Sequence, residues 1–166
     1  MEGFACSRCG EFHAGFPMCF GAEFPDYYFS IPPEEVTSRV ELTESLCVID
    51  ETHFFIRGRI EIPVIDSQES FCWNVWTSVS EDNFIRLNER WNDEQRVEEP
   101  AYFGWLQTEL PGYINTLNIK TMAHTQIVGI IPQIEVVEEG HALTKEQQKG
   151  ITWQRVTELV EIAMHG

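Results

Sequence analysis

The sequence is short of cations. It carries 11 Lys and Arg against 27 Asp and Glu, a formal charge of −16 over 166 residues. Nucleic-acid backbones are bound by Lys and Arg that displace counterions, so this balance argues against a nucleic-acid partner. The same deficit argues against anionic membrane surfaces. No stretch approaches the ~18 consecutive apolar residues of a membrane-spanning helix. Cysteine is sparse and odd in number: Cys6, Cys9, Cys19, Cys47 and Cys72 do not make an even-paired secreted disulfide framework. The start, Met1-Glu2-Gly3, has neither the positive charge nor the apolar run of a secretory signal. The expectation is a cytoplasmic chain with reduced thiols. Also missing are a phosphate-cradling glycine loop, a serine nucleophile elbow, a His-Glu-x-x-His helix and an EF-hand loop. No internal repeat or low-complexity tract appears. If the charge serves more than solubility, it suits a basic protein partner.

What is present is enough for a core. Apolar residues make up 43% and aromatics 12%, in a length usual for one domain. A chain of this size buries about 68–70% of its unfolded surface without help from disulfides. The clearest pattern runs from Phe54 to Val64, where Phe54, Ile56, Gly58, Ile60, Ile62 and Val64 alternate with Phe55, Arg57, Arg59, Glu61 and Pro63. Period two with one apolar and one charged face predicts a half-buried strand. Asp66-Ser-Gln-Glu69 reads as a hairpin connection to a return strand, Phe71 to Val79. There Phe71, Trp73, Val75 and Thr77 face one way, and Cys72, Asn74, Trp76 and Ser78 the other. Further strands are predicted over Leu46–Ile49, Tyr102–Leu106, Thr116–Ala123 and Gly129–Val137, with Pro132 marking an edge or bulge in the last. Helices are predicted from Ser30 or Pro32 to about Glu44, from the Ser80 cap past Leu87, from Thr144 with Gln147 in capping-box spacing, and from Thr152 to the end. The fold class is therefore α+β: a single domain, a central antiparallel or mixed sheet flanked by helices, and an N-terminal zinc-knuckle-like head over residues 1–20 ahead of a body over 21–166.

The head carries the one chemically specific spacing, Cys6-x2-Cys9-x3-His13-x5-Cys19. Two thiolates three residues apart, joined by a nearby His and Cys, supply four tetrahedral zinc ligands. Gly10 after the second cysteine lets the backbone turn there. Cys47 and His124 are alternative fourth ligands. Structural zinc is the expectation, because four ligands would close the site and a catalytic one needs an open position. Cys47 with His53 suggests a nucleophile and base, but the apolar run Leu46-Cys47-Val48-Ile49 reads as ordinary burial. Arg57, Arg59 and Glu61 share a strand face and, with Asn118 and Lys120, could form a small anion patch. Trp73, Trp76, Tyr102, Phe103 and Trp105 could line a pocket or partner surface, Trp76 above all because it alternates with Asn74 and Ser78.

Cys6-x-x-Cys9-Gly10 with His13 and Pro17, Leu46-Cys-Val-Ile-Asp50, Phe54-Phe-Ile-Arg-Gly58, Tyr102-Phe-Gly-Trp-Leu106, Leu110-Pro-Gly-Tyr113 and Thr116-Leu-Asn-Ile-Lys-Thr-Met122 together resemble the bacterial domain of unknown function 2199 family. The resemblance runs from Phe4 to the end of the chain and implies a single-domain bacterial protein with no activity to carry over. Cys19 falls outside that pattern. Three functions follow as expectations: a non-enzymatic, zinc-stabilised protein-interaction domain with an acidic surface, a zinc- or thiol-dependent hydrolase, or a small-ligand binder using the aromatic sheet face.

Overall fold

Two long strands organise the chain, and they are the two that alternation predicts. The computed structural model describes residues 17–165, with the backbone of 4–5 and 12–13. Its strands are β1 (Phe4–Ala5), β2 (Phe12–His13), β3 (Cys19–Gly21), β4 (Val40–Leu42), β5 (Leu46–Ile49), β6 (His53–Pro63), β7 (Ser70–Val79), β8 (Tyr102–Leu106), β9 (Lys120–His124) and β10 (Gln133–Val136). Its α-helices are α1 (Val36–Arg39), α2 (Glu81–Glu89), α3 (Ala142–Lys149) and α4 (Trp153–His165). Among the described residues, no helix is long and apolar enough to cross a membrane.

The hairpin of β6 and β7 pairs without a break from Phe54 opposite Val79 to Pro63 opposite Ser70. Eleven extended residues reach about 36 Å, far beyond the short strands around them. Each long strand therefore changes neighbour midway. β6 pairs with β5 over His53–Ile56 and runs parallel to β10 at Arg59. β7 runs parallel to β3 over Cys72–Asn74 and antiparallel to β8 at Thr77 and Ser78. Following β7, β8, β9, β10 and β6 returns to β7, so five strands close into a barrel, with β5–β4 and β3 as wings. The parallel pairs make the sheet mixed.

Inward side chains fill the barrel. Ile56, Ile60, Ile62, Phe71, Trp73, Val75, Leu106, Ile134 and Val136 are buried there, joined by Leu143 of α3 and by Val156, Leu159 and Val160 of α4. Gly104 has no room for a side chain, since a Cβ would meet the Ser78 carbonyl and lie 2.5 Å from Thr77 Oγ1. The polar pair within, Thr77 and Thr121, satisfies itself with a 2.8 Å hydroxyl–hydroxyl bond. Gln147 of α3 accepts from the Val136 N–H (2.7 Å) and donates to the Ile134 carbonyl (2.8 Å), covering the β10 edge past its short contact with β6.

A second cluster lies on the outer side of the hairpin: Ile31, Cys47, Ile49, Phe55 and Trp76, covered by Tyr27, Tyr28, Val36 and Val40. It overturns the reading of Trp76 as an exposed pocket wall. Trp76 does alternate with Asn74 and Ser78, but residues 22–36 cross over it, and its indole N–H donates to the Ala22 carbonyl (3.1 Å).

Three other expectations are corrected. The helix over Ser30–Glu44 gives way to 3₁₀ turns at Asp26–Ser30 and Pro33–Glu35, a single α-turn, and β4. Val40–Leu42 gains a strand partner in Ile49–Cys47, and tertiary pairing overrides a weak helix propensity. The predicted strands 116–123 and 129–137 begin late, at Lys120 and Gln133. Pro132 precedes the second, its carbonyl accepting the Arg59 N–H at 2.9 Å. Helix α3 starts earlier than its capping-box pattern, with His141 Nδ1 accepting the Leu143 N–H (3.0 Å) while Thr144 bonds back to the Glu138 carbonyl (2.6 Å).

Candidate functional site

The outward face of the hairpin is built residue by residue from the alternation. Arg57, Arg59 and Glu61 of β6 stand opposite Trp76, Asn74 and Cys72 of β7. Parallel pairing sets Gln133 of β10 beside Arg59, and antiparallel pairing sets His124 of β9 beside Gln133. Over this row lie two open grooves that share Arg59, Glu61 and Gln133. One, about 460 Å³, extends past Arg57 and Asn74 to Glu44, Ser45, Gln126 and residues 129–131. The other, about 510 Å³, extends past His124 and Glu135 to Gln147 and Gln148.

The arginines set the electrostatics. Arg39 pairs with Asp50 and Glu35, Arg86 and Arg90 with Glu99, and Arg155 with Glu146 and Glu158. Arg57 and Arg59 make no ion pair among the described residues. Arg59 Nε reaches only Asn74 Oδ1, at 3.4 Å, and Arg57 Nη1 only the Glu44 carbonyl, at 3.4 Å. The Arg57 Nε is buried without a hydrogen-bond partner. Glu61 turns instead to Gln133 (3.1 Å), and His124 to Glu135 (2.8 Å). Two guanidinium groups two residues apart on one strand face stand about 6.6 Å apart at the backbone. With Asn74, Gln126 and Gln133 nearby, they suit a planar carboxylate or a phosphate.

The far wall of the first groove is held by a buried cation. Arg96, 7% exposed, donates to four backbone carbonyls: Gln126 (2.8 Å), Ile127 (2.6 Å), Ile130 (2.9 Å) and Trp91 (3.0 Å). It makes no ion pair among the described residues, and burial lowers its pKa, yet a guanidinium stays charged in proteins. The loop over residues 126–130 is thereby tied to the segment after α2.

Several predicted site residues lie elsewhere. Lys120 sits four residues back from His124 on β9, about 13 Å along the strand, and faces Trp105. Asn118 accepts from Gln107 (2.7 Å). Neither lines these grooves. Cys47 is fully buried, its thiol pushed up to about 11 by desolvation, and His53 packs on the Tyr27 ring with centroids 4.5 Å apart. Cys47 is core, with no exposed thiol to act as a nucleophile, and His53 is only half-buried. Of the aromatics, Trp73, Trp76 and Tyr102 are buried, while Phe103 and Trp105 are exposed and meet edge to face at 5.0 Å. Cys6 and Cys9 lie outside the described residues, as does the side chain of His13. Cys19 is exposed on β3. The described residues hold no cluster of three or more His, Cys, Asp or Glu suited to a metal ion.

From the sequence, Asn74 is placed on the outward strand face without being picked as a site residue, and Gln126 and Gln133 are not picked at all. The signal for Asn74 was there, since it alternates with Cys72 opposite the two arginines. Gln126 and Gln133 reach the face only through barrel closure.

A family model described as an uncharacterized protein conserved in bacteria (DUF2199) matches residues 5–151. No curated protein and no solved structure matches the chain.

Proposed function

The chain belongs to the DUF2199 family of proteins conserved in bacteria, and we propose that it is a binding domain whose ligand presents a carboxylate or phosphate to the Arg57–Arg59 groove. One observation carries this reading. In a chain with 27 acidic residues, the two neighbouring arginines of β6 have no carboxylate partner among the described residues, while Arg39, Arg86, Arg90 and Arg155 each have one. An unmet buried donor costs about 1–3 kcal/mol, and a ligand acceptor would recover part of that at Arg57. The flanking amides supply neutral donors that orient a ligand without adding charge. The test is a calorimetric and NMR titration of the full chain with citrate, pyrophosphate and a short acidic peptide, repeated with Arg57→Gln and Arg59→Gln. The expected result is saturable binding of at least one probe, weakened about tenfold or more by each substitution, the worth of one charge-assisted bond. Binding that ignores both substitutions would sink the proposal. A basic protein partner, the expectation from net charge, would also bind independently of these two residues.

A second proposal concerns the head. The predicted ligands Cys6, Cys9 and His13 would hold a structural zinc, with Cys19 as the fourth ligand only while its thiol is reduced and free of Cys72. In its support, β1 pairs with β2, Ala5 facing Phe12, and these residues flank the segment that carries Cys6 and Cys9. Elemental analysis of protein purified without added metal should give about one zinc per chain, and Cys6→Ser should lose metal and thermal stability together. A Cys6→Ser variant that keeps its melting temperature but loses a measured hydrolysis would favour a zinc enzyme instead.

A further inference from the structure

We propose that Cys19 and Cys72 form a dithiol site that closes into a disulfide by exchange with a low-molecular-weight disulfide such as oxidised glutathione. Strand β3 runs parallel to β7 with Cys19 directly beside Cys72, Phe20 beside Trp73 and Gly21 beside Asn74. Laterally paired residues project from the same face of a sheet, and neighbouring strands lie about 4.7–4.9 Å apart. That spacing falls inside the ~4.4–6.8 Å Cα separation of disulfides.

The approach is fixed on three sides. The Met18 carbonyl accepts the Cys72 N–H (2.7 Å), and the Ala22 N–H reaches the Asn74 carbonyl (3.2 Å), bracketing the pair with backbone bonds. Phe20, between them in sequence, turns to the opposite face and packs on Phe71 and Trp73, with ring centroids 6.1 Å from each. At Gly21 an added Cβ would lie 2.7 Å from the Asn74 Cβ, so β3 sits as close to β7 as the backbone permits.

The two thiols differ in a way that orders the chemistry. Cys19 is exposed and Cys72 half-buried. Solvent-borne reagents therefore meet Cys19. Its thiolate attacks one sulfur of oxidised glutathione, forming a Cys19–glutathione mixed disulfide and releasing one glutathione thiolate. Cys72 gives up its proton to solvent and attacks the Cys19 sulfur, forming the Cys19–Cys72 bond and expelling the second glutathione thiolate. Two protein thiols are oxidised, and one glutathione disulfide is reduced to two thiols. Cys47, sealed in the outer cluster, takes no part. Committing Cys19 to Cys72 removes it from the zinc set and leaves Cys6, Cys9 and His13 for a metal. The pair lies one row from Asn74 and Arg59, at the margin of the groove.

The experiment is peptide mapping of the full-length protein, reduced, exchanged into oxygen-free buffer, treated with oxidised glutathione, and quenched by alkylation. Tryptic cleavage after Arg8, Arg39, Arg59 and Arg86 places Cys19 in peptide 9–39 and Cys72 in peptide 60–86. The expected product links these two peptides, with fragment ions assigning Cys19 rather than Cys9. Cys9→Ser should keep the link. Cys72→Ser should stop with one glutathione on Cys19, and Cys19→Ser should form neither product. The inference is overturned if the wild type also stops at the mixed disulfide, if the link runs through Cys9, or if Cys19 resists both glutathione and alkylation in the folded protein. Circular-dichroism melts of the serine variants, isosteric with cysteine, confirm that each reacts from the folded state.

Discussion

Replacing Arg96 with Met should unfasten one wall of the groove and cost the domain several kcal/mol. The arginine makes four hydrogen bonds to backbone carbonyls, at 2.6 to 3.0 Å. Bonds from a charged donor contribute about 1.5–3 kcal/mol each in isolation. Their plain sum overcounts, because one guanidinium serves all four and because Ile127 and Ile130 are exposed residues whose carbonyls regain water once released. Met keeps an apolar stem of similar length in the site but loses the guanidinium above the Trp91 ring. The cost left is about 3–4 kcal/mol. In a domain of this size 1 kcal/mol moves the melting temperature by about 2–4 °C, so the midpoint should fall by about 6–16 °C. Arg96→Lys should fall in between, since an ammonium offers three donors where four acceptors wait. Hydrogen exchange supplies the local readout: amides over residues 126–131 should lose protection before those of β6 and β7. A drop below about 2 °C with unchanged exchange in that loop would refute the reasoning.

Three further outcomes follow from the same packing. Glu99 accepts from Arg86 and Tyr102 and forms an ion pair with Arg90, and the Arg86 bonds lead in holding its pKa down at about 2. Because the folded value lies below the unfolded one, near 4.3, the stabilisation is full above that pH and is lost as pH falls toward 2. Acid unfolding of Glu99→Gln should therefore lose the steep part of its pH dependence between about 4 and 2, and a profile parallel to the wild type would contradict this. Gly104→Ala forces a methyl group against the Ser78 carbonyl and should destabilise by about 1–3 kcal/mol or more, read by urea midpoint at constant slope. Thr77→Val strands the Thr121 hydroxyl of a fully buried pair, whereas Thr121→Val leaves the Thr77 hydroxyl its bond to the Trp105 carbonyl (3.2 Å) and should cost less. The double variant should cost less than the sum by about 1 kcal/mol in a double-mutant cycle.

The hairpin was legible in the sequence because its information is local. Alternation over Phe54–Val64 and Phe71–Val79 fixes both which residues turn inward and which polar ones turn out, and Arg57 with Arg59 could be picked from that alone. Closure was not legible. The link from Arg59 to Gln133 joins residues 74 positions apart through a single parallel pair, and no periodicity encodes it. Gln126 and Gln133 entered the groove by that route. Trp76 was misread for a related reason: period two gives its face but not the crossing segment that later covers it. Lys120 was misplaced because charge on a neighbouring strand says nothing about register, and a four-residue offset carries a side chain out of reach. Cys72 was placed only by its strand face, while Cys19, its register neighbour on β3, was assigned to the head.

The amide of Gln147 is a peptide group on a tether. By binding the Ile134 carbonyl and the Val136 N–H, it ends the β10 edge on a side chain where another strand would otherwise fit. A foreign strand approaching there finds the donor and acceptor occupied, so templated aggregation is discouraged at that edge. Among the described residues, the outer edges of the eight-stranded sheet are β3 and β4, three residues each, the kind of short edge that discourages added strands. The molecule's resistance to strand addition thus depends on one exchangeable residue of α3, and Gln147→Ala would open a seam without disturbing a single core side chain.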